Sequence, residues 1–124
     1  MLKFKNIGRF VFGFAFIMAG LYHFINPEFY YPMFPPYFTW IEGFNILAGV
    51  AEIMFGGGLL FNSTRKRAAY GIIGLMILFI PIHVYMIQAG GCLSEAVCLP
   101  LWGAWVRLVI IHPILIGMAW YLSK

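Results

Sequence analysis

The chain has 124 residues, of which 63% are hydrophobic and only 10% charged. That balance excludes a soluble domain of this size and indicates a membrane protein. The net charge of +4 would suit a nucleic acid, but apolar segments this long leave no folded polar surface for one to lie on.

Four apolar stretches, at about 7–25, 41–61, 68–88 and 101–122, are each close to the ~20 residues that cross ~30 Å of hydrocarbon as a helix. Their apolar runs are continuous and lack the alternation of barrel strands. The expectation is an all-α fold: residues 1–124 form a single transmembrane domain, a membrane-spanning antiparallel four-helix bundle with a short outer interfacial helix.

Lys3, Lys5 and Arg9 open the first span. Its charged and apolar regions are those of a signal peptide, but no small-residue cleavage site follows, so the segment is expected to be retained. Gly13, Ala15, Ala19 and Gly20 let another helix approach closely, and His23 stands near the outer end. Asn26, Pro27 and Glu28 then provide a cap, a first-turn proline and a first-turn acid for a short helix. The aromatic and proline-rich stretch to Trp40 suits the headgroup level and is expected to lie over the outer mouth of the bundle.

The second span sets Glu42, Asn45, Gly49, Glu52 and Gly56 on one face, a polar, small-residue seam turned toward other helices. Arg65, Lys66 and Arg67 fill a turn short enough to make spans two and three antiparallel neighbours. In span three, Gly71, Gly74, Pro81, Tyr85 and Gln88 share a seam, and Pro81 is expected to kink the helix and free a carbonyl. His83 lies off that seam unless the kink turns it inward. Cys92 and Cys98 follow in the last outer loop, where an oxidising compartment would make them a structural disulfide; a redox-active pair more often has Cys-x-x-Cys spacing. Span four carries Arg107 in its outer third and His112, followed by Pro113, near its middle.

The loops 26–40 and 89–100 contain no Lys or Arg and carry Glu28 and Glu95. By the positive-inside rule both termini are cytoplasmic, in the plasma membrane of a bacterium or archaeon, with the basic residues against anionic headgroups.

At ~1.5 Å per residue, Asn45, His83 and Arg107 lie roughly 8 to 10 Å below the outer ends, and Glu52 and His112 roughly 18 Å, with His23 at the rim. Such residues are costly in hydrocarbon and point to a polar pocket open toward the outside. Glu52, Arg107 and His23 are the candidate reactive groups; Asn45, His83, His112 and Tyr85 are candidate ligand contacts. A Glu52–Arg107 pair bridging adjacent helices would serve equally as a site or as a packing strut. Three histidines at three levels argue against haem, and without a paired ligand spacing no metal site is expected.

Several stretches in order carry a resemblance to a known family: Ala19-Gly20-Leu21-Tyr22-His23-Phe24 with Pro27, Met33-Phe34-Pro35-Pro36, Gly49-Val50-Ala51-Glu52 with Gly56 and Leu59-Leu60, Thr64-Arg65 with Arg67-Ala68-Ala69, Pro81 with Tyr85-Met86, and Trp105-Val106-Arg107-Leu108. Through them the chain resembles the DoxX family of small four-helix membrane proteins. The resemblance implies association with quinone-linked oxidoreductases, one relative being a membrane subunit of a thiosulfate-oxidising enzyme, and it covers His23, Glu52 and Arg107. The chain departs from the family pattern at His83, where Asn is frequent, at Leu108-Val109-Ile110-Ile111, which replaces a stretch with Pro and Gln, and in having the cysteine pair.

The expected function is a membrane subunit of a quinone-linked redox system, and any enzymatic role would be as a subunit of such an oxidoreductase. His23 and Arg107 would hydrogen-bond quinone carbonyls and Glu52 would exchange a proton. Its partners would be the lipid bilayer, a redox subunit and a second copy of itself. A non-catalytic assembly protein that recognises a partner's helix is the alternative. A small-solute carrier is less supported, because four helices without an inverted repeat offer little for alternating access.

Overall fold

The computed structural model describes residues 2–124, with side chains from residue 3, and it is all-α. Helix α1 is Leu2–Ile25, α2 is Pro27–Tyr30 and, after a 3₁₀ turn at Tyr31–Met33, α3 is Ile41–Leu59. Helices α4 (Arg65–Leu78) and α5 (Ile80–Gln88) follow one another across Phe79. The last segment consists of α6 (Leu101–Val106), a π-helical stretch Arg107–Ile111 and α7 (His112–Ser123).

Three helices are long and apolar enough to cross a membrane: Lys3–Ile25, Arg65–Gln88 and Leu101–Ser123. Helix α3 is not among them, a departure from the four equal spans expected, because Glu42, Asn45 and Glu52 dilute its apolar residues. It also stops at Leu59, short of residue 61, where the Thr64 hydroxyl donates to the Gly58 carbonyl at 2.7 Å and satisfies an end-of-helix acceptor.

Burial is inverted relative to a water-soluble fold. Arg9, His23, Asn45, Glu52, His112 and Ser123 are buried, while Phe10, Phe14, Met18, Leu47, Val50, Leu78, Val109 and Ile114 are exposed. That pattern suits a surface solvated by hydrocarbon.

Two matching stripes of residues build the tightest interface. Arg9, Gly13, Phe16, Gly20 and His23 are buried on α1, and Asn45, Gly49, Glu52, Gly56 and Leu59 on α3, each stripe stepping by four and three residues so as to stay on one helical face. A methyl group placed on Gly20 would lie 2.6 Å from the Gly49 carbonyl oxygen, and one on Gly56 2.7 Å from that of Gly13. The pairings 13 with 56 and 20 with 49 make α1 and α3 antiparallel, their backbones close enough that only glycine fits at the crossing. The seam is rotated slightly from expectation: Gly43 is buried under Trp40 and Glu42 is exposed.

Helix α3 packs in turn on α4, and α4 on α7. Phe12 and Phe16 of α1 join Leu59, Ala69, Ile72, Ala119 and Leu122 in one core, but α1 and α7 do not share a close backbone interface. A second core at the opposite end joins Met33 of the loop to Met86, Val97 and Ala104.

Two prolines shape the helices that face this gap. Pro81 has no N–H for the helical ladder, and the helix is interrupted at Phe79, two residues before it. Ahead of Pro113 the chain widens into the π-helical stretch, where the His112 N–H reaches the Arg107 carbonyl. In the outer loop Pro27 and Glu28 occupy the first turn of α2, but the Asn26 side chain does not cap it. Its amide donates to the Tyr22 hydroxyl at 3.0 Å instead.

The loop between α5 and α6 is a small hairpin closed by the Cys92–Cys98 disulfide and by Leu93 N–H to Val97 carbonyl (2.8 Å) and Leu99 N–H to Gly91 carbonyl (2.9 Å) bonds. Gly91 has φ +91°, which a side chain would disfavour.

Candidate functional site

The α1–α3 stripe ends in a polar cluster. His23 Nδ1 lies 2.6 Å from Asn45 Oδ1, and Asn45 Nδ2 donates to the His23 carbonyl at 2.9 Å. The second bond fixes the amide orientation, so Oδ1 is the acceptor and Nδ1 carries the hydrogen. Nε2 is thereby left for Glu52, whose Oε2 is 3.3 Å away, with side chains 7% and 8% exposed.

The Cα levels of His23 and Glu52 differ by six residues in this register, ~9 Å along the axis. Side chains tilt toward the N-terminus of their own helix, so on antiparallel helices these two point at each other and close the gap. Counting depth by Cα position alone places His23 and Glu52 on separate levels; side-chain direction brings them together.

The contact is close but lacks hydrogen-bond geometry, and Oε2 has no hydrogen-bond partner. With Nδ1–H held by Asn45, Nε2 is the ring nitrogen that faces the carboxylate.

Tyr30 covers the cluster. Its ring stacks on the His23 imidazole at 3.7 Å between centroids and 15° between planes, and its hydroxyl donates to the Ala19 carbonyl at 3.4 Å. Burial first, then the Glu52 carboxylate and Tyr22, push its hydroxyl up to about 12 from the usual 10.0. Sequence reasoning placed Tyr30 in the interfacial loop without assigning it to the site; it is the last residue of α2 and covers the His23 ring.

On its other side Glu52 faces a crevice of ≈ 290 Å³, walled by Phe12, Ala15, Phe16 and Ala19 of α1, Met76 and Phe79 of the α4 segment, and Leu115 of α7. The crevice occupies the gap left where α1 and α7 do not pack closely, and Glu52 is the one carboxylate on its wall.

Arg107 lies elsewhere. It lines a groove of ≈ 320 Å³ with Phe29, Tyr30, Met33, Ala96, Val97, Cys98 and Leu99, and its guanidinium donates to the Met86 sulfur at 3.3 Å. The Glu52–Arg107 pair expected from the sequence is not formed. Helix α3 does not pack against the segment that carries Arg107, and both side chains tilt toward the same outer end, so neither turns toward the other.

His112 is buried and donates through Nε2 to the Met76 carbonyl, in the turn before the interruption at Phe79. The half-buried His83 ring stands 4.6 Å from it, edge to face. Tyr85 is half-buried and lines neither cavity. Thus His23, Asn45 and Glu52 form one cluster, His83 and His112 a second, and Arg107 stands in a separate groove. Among the described residues no group of three His, Cys, Asp or Glu is placed to hold a metal ion.

Arg9 has a structural role that sequence reasoning missed. Although grouped with the headgroup-facing basic residues, it is buried and donates to Asn62 Oδ1 at 2.5 Å, tying α1 to the end of α3. The signal was present: Arg9 is four residues before Gly13, on the same stripe.

The comparison with known families overturns the DoxX resemblance, since no DoxX match is found. The shared fragments are short, and small and aromatic residues at such spacings recur wherever helices pack closely in lipid. No curated protein and no solved structure matches the chain. The chain belongs instead to the family described as "Domain of unknown function (DUF8561)", whose model matches residues 12–123.

Proposed function

We propose that this is an integral membrane protein in which all four long helical segments cross the bilayer as an antiparallel bundle, and that it binds a quinone or quinol at Glu52 as the membrane subunit of a redox system. Helix α3 can cross despite its polar residues because they face α1, while Ile46, Leu47, Val50 and Met54 face outward. One end of the bundle gathers Lys5 over Tyr121, Lys124 over Trp120 and Arg65 on the Lys124 carbonyl; the positive-inside rule sets that end, with both termini, in the cytoplasm of a prokaryotic cell.

The observation that carries this reading is the buried Glu52 carboxylate on the wall of an apolar crevice, with Oε2 turned to His23 Nε2 at 3.3 Å on its other side. A carboxylate on a wall that is otherwise apolar favours a ligand that brings a polar partner for it. A quinol brings an O–H from which the carboxylate can accept, and a quinone brings a carbonyl to which the protonated carboxyl can donate. Asn45 holds His23 in the tautomer that turns Nε2 to Glu52, and Phe12, Phe16, Phe79 and Leu115 exclude water and receive the ring and its apolar tail. A bound quinone would supply two-electron chemistry coupled to proton uptake.

The test is titration of the purified protein in lipid nanodiscs with decylubiquinol and decylubiquinone. Saturable binding is expected, weakened about tenfold or more in Glu52→Gln with helical content unchanged. No saturable binding by the native chain, or equal affinity in the variant, would refute the assignment. A second reading is favoured by the loose approach of α1 and α7: a partner's transmembrane helix seated against that side. A stoichiometric partner recovered by co-purification, together with indifference to quinones, would establish it in place of the first.

A further inference from the structure

We infer that the outer groove is a binding site for the carboxylate of a single-chain amphiphile, with Arg107 as its anchor. This site is separate from the crevice at Glu52, and its argument does not rest on the quinone reading.

The groove has a single cation. Arg107 presents five N–H donors, of which one reaches the Met86 sulfur, a weak acceptor. Among the described residues no Asp or Glu forms a salt bridge with it, and Glu28, Glu42 and Glu95 are exposed and do not line the groove. A half-buried guanidinium without an anion is a charge awaiting one. It lies six residues into the last helix, ~9 Å below its outer end, and its side chain tilts outward into the groove.

The rest of the lining selects the class of anion. Phe29, Met33, Val97 and Leu99 provide apolar walls and Tyr30 the one hydroxyl, itself committed to the Ala19 carbonyl. A phospholipid phosphate brings additional oxygens and a glycerol backbone that would need polar partners this groove does not offer. A carboxylate has two oxygens, which the fork of one guanidinium matches, and a linear chain attached to it can run between the aromatic and aliphatic walls. The hairpin residues Ala96 to Leu99, closed by the disulfide, form one side of the groove, so the loop holds the ligand's chain against Met33.

The test uses dansyl-undecanoic acid as a fluorescent probe on the full chain in nanodiscs of a neutral lipid, with dodecanoate, dodecanol and dodecyl phosphate as competitors. Saturable binding displaced by dodecanoate but not by dodecanol is expected, with a loss of about tenfold or more in Arg107→Gln. Arg107→Lys, which keeps the cation but not the two-pronged fork, should retain weakened binding, and unchanged helical content in both variants guards against a fold defect. Displacement by dodecanol as strong as by dodecanoate, or undiminished affinity in both variants, would overturn the site. Preferential displacement by dodecyl phosphate would overturn the carboxylate assignment, and failure of decylubiquinol binding alone would leave this site intact.

Discussion

Asn45→Ala is the most informative single change, because Asn45 makes two hydrogen bonds to the same residue and thereby sets its protonation. The substitution removes the 2.6 Å contact with His23 Nδ1 and the 2.9 Å bond to the His23 carbonyl. Side-chain hydrogen bonds between helices in membrane proteins average about 0.6 kcal/mol, and a buried group left unsatisfied costs about 1 to 3 kcal/mol. Asn45 is 1% exposed, so water cannot easily take its place, and the expected loss of stability is about 1 to 3 kcal/mol. It would be read by reversible unfolding in mixed detergent micelles. The diagnostic companion is the ¹⁵N spectrum of the His23 ring: the native protein should show the hydrogen on Nδ1, whereas the variant should show a mixture of tautomers or a proton moved to Nε2. A loss below about 0.5 kcal/mol, together with an unchanged ring spectrum, would refute the tautomer assignment.

Three further expectations test other parts of the structure. Gly49→Val should force α1 from α3, because even one added carbon would meet Phe24 at 2.8 Å and His23 at 2.9 Å; a loss of at least about 1 to 3 kcal/mol is expected, whereas the same change at Gly74, which has open space around it, should have a much smaller packing effect. Stability should be insensitive to Tyr30 below pH 10 and fall between pH 10 and about 12, where the unfolded chain releases the phenol proton first and the folded chain retains it; Tyr30→Phe should remove that component of the slope, and an unchanged slope would refute it. Reducing the Cys92–Cys98 disulfide should weaken fatty-acid binding in the outer groove, whose wall includes Cys98, without changing quinol affinity at Glu52; equal effects on both would contradict their separation.

Helix existence was legible because hydrophobic continuity over some twenty residues leaves the backbone little choice in lipid. The interior faces were legible too, since Gly49, Glu52 and Gly56 repeat at helical spacing and do line the α1 contact. The partner of each polar residue was not. Depth counting treated side chains as points at their Cα level, which separated His23 from Glu52 and drew Glu52 toward Arg107. The direction of the Cα–Cβ bond reverses that assignment: antiparallel neighbours aim side chains at each other, whereas helices running the same way aim them alike. Arg9 shows a second limit. Grouping it with Lys3 and Lys5 as a headgroup anchor followed from charge alone, but its place on the glycine stripe puts the guanidinium against Asn62.

The separation of Glu52 from Arg107 also bears on why a helical protein would keep both. A packing strut between opposite charges gains only if the two meet, since their attraction must offset the desolvation of each. Here Glu52 has His23 at 3.3 Å, and Arg107 has a thioether. Neither arrangement is the strongest available: Glu52 retains an oxygen without a donor, and Arg107 retains donors without an anion. Replacing both by leucine would remove two desolvation penalties at the cost of the 3.3 Å His23–Glu52 contact and the bond to the Met86 sulfur, so if neither residue served the packing Glu52→Leu combined with Arg107→Leu should be nearly as stable as the native chain or more so, while abolishing quinol and fatty-acid binding together. Marked destabilisation of that double variant, with ligand binding retained, would assign both residues to the scaffold and end the case for two ligand sites.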